Sequence, residues 1–294
     1  MTSIAFIGLG NMGGGMAANL AKAGHDVRAF DLSPDALDRA KAAGCLSCDS
    51  AQAAIEGAEI VVTMLPAGKH VEAVYGEAVF DVAGPGTLLI DCSTIDVATA
   101  RRIAEAAHAK GLVAVDAPVS GGIAAAQAGT LTFMVGGSDS GFERAERVLA
   151  QMGKAVIHAG DNGAGQAAKI CNNMLLGASM IATSEAFLLA EQLGLDPQKF
   201  FDISSVSSGQ NWSMTSYCPL PGVGPETPAD HDYQGGFAVA LMLKDLKLAM
   251  EAAQDAGAET PMGARAAELY QAYADQGQGG ADFSGIIRML AAKD

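Results

Sequence analysis

The 294-residue chain is poor in aromatic residues, only 5% of its length, and has a single tryptophan. It is also poor in positive charge: 18 Lys and Arg against 33 Asp and Glu leave a net charge of −15. That deficit argues against nucleic acid or an anionic membrane as a partner, since both reward a basic surface. Cysteine is scarce and odd in number, at positions 45, 48, 92, 171 and 218. Cys45 and Cys48 stand at a CxxC-like spacing, but no second pair or nearby histidine completes a zinc site. The expectation is therefore no metal, and ordinary reduced thiols in a cytoplasmic protein. No signal or transit-like segment precedes the first apolar run. No stretch is polar or proline-rich enough to read as disordered, and no internal repeat is visible. The one long apolar run, within 170–193, carries Asn172, Asn173, Ser179, Thr183, Ser184, Glu185 and Glu191. It makes a poor bilayer span, and is read more simply as a helix buried among other helices.

Turning to what is present, the length allows two domains and a large core. Residues 3–7, SIAFI, form a short apolar run that meets Gly8-Leu9-Gly10-Asn11-Met12-Gly13. A helical pattern follows, with Met12, Met16 and Leu20 on one side, and then a second run, DVRAFD, that ends in Asp31. Strand, glycine-rich turn, helix, strand and acid in that order form a dinucleotide-binding fingerprint. Gly8 permits the tight turn, Gly10 lets the backbone approach a pyrophosphate, and Gly13 lets helix and sheet pack closely. The N–H groups of the helix start then face the phosphates. A carboxylate at Asp31 can bind both ribose hydroxyls and repel a 2′-phosphate, which predicts NAD over NADP. A helix-capping role for Asp31 ahead of Pro34 is the alternative.

The alternation continues through EIVVTML (59–65), TLLIDCS (87–93), a helix through Arg101 to Ala109, LVAVDAP (112–118), LTFMVGG (131–137) and AVIH (155–158). Short strands, apolar on both faces and separated by helices, predict a parallel doubly wound sheet. Ligands in such sheets sit beyond the carboxyl ends of the strands, so Leu65-Pro66, Ser93-Thr94 and Pro118 to Gly122 are candidate positions. Ser120, Gly121 and Gly122 can offer a hydroxyl and backbone N–H groups to a carboxylate. The alternative for each is a plain connecting turn.

From Gln166 to Leu193 only Gly177 interrupts a helical reading, which predicts a helix about 42 Å long. Lys169 and Asn173 lie at i and i+4 in its first turns, so a cation and an amide share one face and could hold one substrate oxygen. The apolar neighbours Ala167, Ala168, Ile170 and Cys171 suggest that Lys169 is buried, where a lone lysine needs a reason. His25, His70, His108 and His158, read as helix or turn positions, and His231 in a Pro-rich loop are weaker candidates for an acid or base. Trp212, in the polar stretch after Ser207, is read as walling a small pocket or filling a subunit interface. Residues 218–236, rich in Pro and Gly, read as a long ordered loop or lid. A helix resumes over 241–250 with Lys244 and Lys247 on one face, a surface helix is expected over 262–276, and the FSGIIRML stretch from Phe283 closes the chain.

With these residues in hand the chain resembles the β-hydroxyacid dehydrogenases, and within them the 3-hydroxyisobutyrate dehydrogenase branch. The resemblance spans essentially the whole chain. It rests on the first glycine motif with Met16-Ala17-Ala18-Asn19, Leu65-Pro66, Asp91 to Thr94 and Asp116 to Gly122. It continues with Gly163 to Asn173, Ser207-Ser208-Gly209 with Trp212, Tyr233 to Phe237, and Lys244 to Ala249. It implies an α/β Rossmann-type domain over 1–162 and an all-α domain over 163–294 joined by the long helix, assembled as a homodimer or homotetramer. It implies an NAD cofactor lined by Gly8, Leu9, Gly10, Asn11, Met12, Gly13, Asp31, Leu65, Pro66 and Thr94, with Lys244 near the nicotinamide. Lys169 is implied as the catalytic acid/base. Ser120, Gly121, Gly122, Asn173 and Trp212 are implied at the substrate, a small β-hydroxy acid, with Phe237 and Asp245 closing and ordering that site. The expected activity is NAD-dependent oxidation of 3-hydroxyisobutyrate to methylmalonate semialdehyde in valine breakdown. A tartronate or succinic semialdehyde reductase, or a non-catalytic NAD sensor, are the alternatives. One departure is Gly15, where relatives commonly carry proline; a slightly looser first helical turn is expected there.

Overall fold

Short, β-branched and apolar runs become the strands of one sheet. Among the described residues, 1–292 of a computed structural model, these are β1 (Ser3–Ile7), β2 (Asp26–Phe30), β3 (Leu46–Ser47), β4 (Ile60–Thr63), β5 (Leu88–Asp91), β6 (Val113–Asp116), β7 (Val119–Ser120), β8 (Leu131–Gly136) and β9 (Gly153–Gly160). Their order is β3-β2-β1-β4-β5-β6-β8-β7, with β9 also paired to β8. From β3 to β6 every pairing is parallel. β4 and β5 are buried at every position. Alternate residues serve opposite faces: Ile4, Phe6, Val62 and Ile90 join one core cluster, Ala5, Val61 and Leu89 the other. That two-sided burial is why these strands read as continuous apolar runs rather than alternating ones. Strand order reverses between β1 and β4, so the glycine-rich turn after β1 opens at the switch point of the sheet.

The expectation of a wholly parallel sheet is corrected beyond β6. β8 runs antiparallel to β6 and β7, and only β9 returns to a parallel pairing. The connection from β7 to β8 is short and holds one seven-residue helix, Gly122–Ala128. A parallel crossover needs a dozen residues or more, so the chain folds back instead. The turn expected at Pro118 to Gly122 therefore contains a strand, Val119–Ser120, held by Phe133 and Thr132. AVIH is likewise not buried on both faces. β9 alternates in burial, and Ile157 is largely exposed.

By contact the chain divides into two units, Met1–Lys169 and a second running on from Ile170. The named elements of the second are helices, with Pro197–Ser204, Trp212–Thr215, Val239–Ala256, Pro261–Tyr273 and Ile286–Ala291 following the long helix. Its core gathers Met180, Met242, Leu246, Tyr270, Phe283 and Ile286. Gly177 lets the long helix pack closely there, since a Cβ would stand 3.2 Å from both Leu246 and Met242. The surface helix expected over 262–276 is Pro261–Tyr273; it is amphipathic, with Ala266, Tyr270 and Tyr273 on its buried side. The 218–236 stretch contains one 3-10 turn, Pro228–His231, closed by a capping box between Thr227 and Asp230.

The long helix is continuous over Ala164–Gln192. It is not buried all round. Gln166, Lys169, Ile170, Asn173, Gly177, Met180, Ser184 and Phe187 form a buried stripe at helical spacing, while Cys171, Leu175, Ala182, Glu185 and Leu189 face outward. By length and composition this helix could cross a membrane. A buried stripe with an amide, a lysine and a second amide in its first three turns is instead the pattern of a core helix with a task.

Strand β5 ends on a buried carboxylate. Asp91 Oδ1 accepts the hydroxyls of Thr63 (2.7 Å) and Ser93 (2.6 Å). Burial, opposed by those hydrogen bonds and assisted by nearby Asp116, raises its pKa from 3.8 to about 6. Between those values the folded chain holds a proton that the unfolded chain has released, so stability falls as pH rises through the window. One group shifted this far is worth about 3 kcal/mol. Urea unfolding should show Asp91→Asn losing less stability than the parent between pH 4 and pH 7; parallel curves would remove Asp91 as the cause.

Candidate active site

The glycine-rich turn is built as its spacing implies. Gly8 has φ +96°, and a Cβ there would overlap the Met64 carbonyl oxygen. A Cβ at Gly13 would overlap the carbonyl oxygen of Gly8, so loop and helix touch backbone to backbone. Gly10 is exposed, with nothing within 4 Å of its Cβ position. That open cradle before the helix Gly13–Lys22 fits the pyrophosphate of a dinucleotide. Leu9, Asn11 and Met12 complete the turn, and Leu9 N–H donates to Asp31 Oδ2 at 2.6 Å. Asp31 Oδ1 accepts Ser33 N–H at 2.8 Å. The helix-capping alternative for Asp31 is removed, because Ser33 caps Pro34–Ala42 through its own hydroxyl. The carboxylate instead lies across the glycine turn, just after β2, where it accepts two backbone N–H groups.

Gly15 is explained by packing rather than by a loosened turn. A Cβ there would stand 3.0–3.1 Å from the backbone of Ala126 and Gln127. The first helix thus presses on the short helix Gly122–Ala128, and Asn19 Nδ2 fastens the two by donating to the Ala126 carbonyl at 2.8 Å. That pairing carries the Ser120-Gly121-Gly122 turn with it. Gly121 and Gly122 have φ +135° and +72°, conformations that other residues resist. Ser120 is half-buried at the end of β7 and Gly121 is exposed.

The strand ends beyond β4 and β5 are tied together. Leu65 N–H donates to Ser93 Oγ at 2.8 Å, and Ser93 in turn donates to Asp91. Pro66, exposed, and Thr94, half-buried, flank that link in the chain. Next along the sheet edge, Asp116 ends β6. Its Oδ1 accepts Gly163 N–H at 2.6 Å and its Oδ2 accepts Gln166 N–H at 2.9 Å, so it caps the long helix. Burial raises its pKa, opposed by these N–H donors. Gly165 sits so close that a Cβ would overlap the Met134 carbonyl oxygen. Lys169 follows one turn later and is buried, as is Ile170; Ala167 and Ala168 are half-buried, and Cys171 faces outward.

In the helical unit Asn173 is buried and donates from Nδ2 to Asp245 Oδ2 at 2.5 Å. Its own Oδ1 accepts from Asn172 at 3.0 Å. Lys244 Nζ stands 3.4 Å from Asp245 Oδ1. Trp212 does not lie in a loop; it opens the short helix Trp212–Thr215, half exposed, with its ring stacked on Tyr217 at 4.9 Å. Tyr217 and Phe237 both pack on Phe283. Asp282, fully buried, accepts the Tyr217 hydroxyl (2.9 Å) and the Phe237 N–H (2.8 Å), and so gathers that aromatic group.

Three of the five histidines are engaged elsewhere. His158 lies on β9, not on a helix or turn, with Nε2 2.8 Å from the Gly137 carbonyl and its ring stacked on Phe142. His25 pairs with Gln151, and His231 with Glu226 in the open. Asp91, Asp116, Gln166 and Asp282 are the residues that sequence reading missed. Asp91 and Asp116 each end an apolar run, which was the available signal; Gln166 and Asp282 carry no such mark.

Comparison with known proteins assigns both parts of the chain. Residues 3–160 match the NAD-binding domain of 6-phosphogluconate dehydrogenase, and residues 163–290 match the NAD-binding family described for NADP-dependent 3-hydroxyisobutyrate dehydrogenase. A 3-hydroxyisobutyrate dehydrogenase of Pseudomonas aeruginosa is 54% identical over the full length of both chains. An NAD-dependent L-serine dehydrogenase of the same organism is 48% identical over 99% of this chain and 98% of its own. A solved 3-hydroxyisobutyrate dehydrogenase of Mycobacterium tuberculosis, with L-serine, superposes with a TM-score of 0.95 at 48% identity, over 99% of this chain and all of that one.

The two inner glycines should separate fold from cofactor binding. Gly10→Ala fills open space, so the protein alone should melt like the parent yet lose most of the upward Tm shift that NAD gives. Gly13→Ala meets backbone and should melt lower before any NAD is added. Thermal melts with and without NAD distinguish them; an undiminished NAD shift in Gly10→Ala would place the pyrophosphate elsewhere.

Proposed function

The chain belongs to the 3-hydroxyisobutyrate dehydrogenase family of NAD-dependent β-hydroxyacid dehydrogenases, and on that premise we propose that it oxidises 3-hydroxyisobutyrate to methylmalonate semialdehyde in valine breakdown. The observation that carries the reading is Lys169, a buried lysine one helical turn from a buried Asn173. NAD, when bound, supplies the acceptor for the hydride that leaves the substrate's hydroxyl carbon. Lys169 Nζ takes the hydroxyl proton as that hydride departs, and returns it in reduction. Asn173 orients the oxygen. An amide nitrogen carries two N–H groups; Asp245 takes one and aims the other. Lys244 holds Asp245 in turn and is the residue that would meet the nicotinamide.

Ser120, Gly121 and Gly122 hold the substrate carboxylate through the hydroxyl and the backbone N–H groups. Trp212 and Phe237, fixed through Tyr217 and Asp282, wall the substrate from water. Leu65, Pro66 and Thr94 line the cofactor. Asp31 sets the preference for NAD, since an unneutralised carboxylate beside the ribose repels a 2′-phosphate.

L-Serine is the second substrate reading, supported by the L-serine dehydrogenase relative and by the solved relative with L-serine. It shares the β-hydroxyl and the carboxylate, and replaces a methyl by an ammonium group. The assembly belongs to the same reading: a homodimer or homotetramer, supported by the outward Leu175 and Leu189 of the long helix, 66% and 56% exposed in one chain.

Lys169→Ala should lower kcat by roughly 10²–10⁴, the usual worth of a positioned acid/base, with NAD affinity nearly unchanged. Lys169→Arg should not rescue, because a guanidinium does not give up its proton. Asn173→Ala should raise KM and also lower kcat. Steady-state kinetics of the folded variants, on a panel of β-hydroxy acids including L-serine with NAD and with NADP, read all of this. Lys169→Ala with most of its kcat retained would put the base elsewhere, and faster turnover with NADP would undo the role given to Asp31. Light scattering at micromolar concentration should return a mass above that of one chain; a fully active monomer contradicts the assembly.

A further inference from the structure

Gln166 is completely buried in the first turn of the long helix, and both ends of its amide are used. Oε1 accepts the Ile95 N–H at 3.1 Å, and Nε2 donates to the Ser93 carbonyl at 2.7 Å. Those two backbone groups flank Thr94. One side chain on the helix therefore brackets one residue of the strand-end loop from both sides. Gln166 and Lys169 are at i and i+3, neighbours on one helix face. The bracket and the buried lysine thus belong to the same turn.

The other attachments do different work. Asp116 takes N–H groups of the helix start, Gly163 and Gln166, and fixes where the helix begins. A helix held at its end can still turn about its axis. A bond from a side chain, off that axis, fixes the rotation, and rotation decides where the next side chain on that face points. The loop itself is held without Gln166, since Ser93 binds Asp91 and Leu65, and Cys92 N–H donates to the Thr63 carbonyl. Loss of the bracket would free the helix turn relative to the loop while leaving the loop in place.

We propose that Gln166 is a positioning residue of the reaction, one that sets the angular placement of Lys169 against the Thr94 loop and acts through Lys169 rather than on substrate or NAD. This rests on the reading of Lys169 as the acid/base given above. A misplacement of about 1 Å in a reacting group can cost on the order of 10²-fold in rate. A loosened rather than displaced lysine should cost about 10-fold.

The test is a double-mutant cycle with Gln166→Met, which keeps length and bulk and removes both hydrogen bonds, in the parent and in the Lys169→Ala background. Expected are a kcat lower by about 10-fold, an NAD dissociation constant within about twofold of the parent, and no further loss of kcat once Lys169 is gone. Gln166→Glu, which keeps the acceptor for Ile95 and loses the donor to Ser93, should fall between the parent and Gln166→Met. It replaces Gln166→Met in the cycle if that variant does not fold. A folded variant with parental kcat, or the same fractional loss in both backgrounds, overturns the positioning role while leaving Lys169 in place. A Lys169→Ala protein that retains kcat overturns both, so the two failures are distinct.

Discussion

The structure turns on one buried carboxylate, Asp116, which closes β6 and accepts the first N–H groups of the long helix. A helix start leaves four N–H groups without partners, and burying them costs free energy unless something accepts them. Here the acceptor is the last residue of a sheet strand, so the helix can begin only at the carboxyl edge of the sheet. The near overlap that a Cβ at Gly136 or Gly165 would cause shows how little room that arrangement leaves. Asp91, opposite Asp116 in the β5–β6 register, holds the neighbouring loop through Ser93 and Thr63. Two buried carboxylates thus organise two adjoining strand ends, and the charge of each opposes full ionisation of the other. Acid side chains buried in apolar strands are costly, and their hydrogen bonds account for why they are there.

Much of this was legible in the sequence because it is written in backbone sterics. The roles of Gly8, Gly10 and Gly13 follow from one rule, that glycine is placed where a Cβ would collide or where a ligand must come near. The contrast between Gly10, open, and Gly8 and Gly13, closed, is that rule made visible. The inner strands were equally readable, because burial on both faces keeps each run apolar up to its last residue, Thr63, Asp91 or Asp116. The long helix was legible from composition, and the shared buried face of Lys169 and Asn173 from helical geometry and their apolar neighbours.

Most of what was not legible depends on contacts made only in the folded chain, several of them between residues far apart in sequence. That β8 would reverse direction follows from a connection too short for a crossover, and the apolar run 131–137 carries no mark of direction. Gly15 read as a weak first turn because the pressure on it comes from Ala126 and Gln127, more than a hundred residues away. Trp212 read as a loop residue, since the cap that starts its helix, Asn211, and the aromatic partner beneath it, Tyr217, matter only once folded. Gln166 and Asp282 looked like ordinary polar positions. The partners of the Gln166 side chain are backbone groups, and Asp282 accepts backbone N–H groups beside the Tyr217 and Ser284 hydroxyls; a sequence does not mark which backbone groups will be met.

These distant partners share one property that bears on chemistry. In each case a side chain expected to meet a ligand is aimed by another that need not. Asn173 can present its amide in one sense only, because Asp245 is a carboxylate and accepts; the nitrogen must face it. An unheld amide could present either end to a substrate oxygen, and half of its orientations would repel a developing negative charge. On the proposed reading of Asn173, fixing the end in advance removes that reorganisation from the reaction step, which is where preorganised polar groups have most of their effect. Tyr217 and Phe237 are aimed by Asp282 in the same manner, and the turn that carries Lys169 by Gln166 and Asp116. The apolar core sets where the helices lie, and a small set of buried acids and amides sets which way the working side chains face.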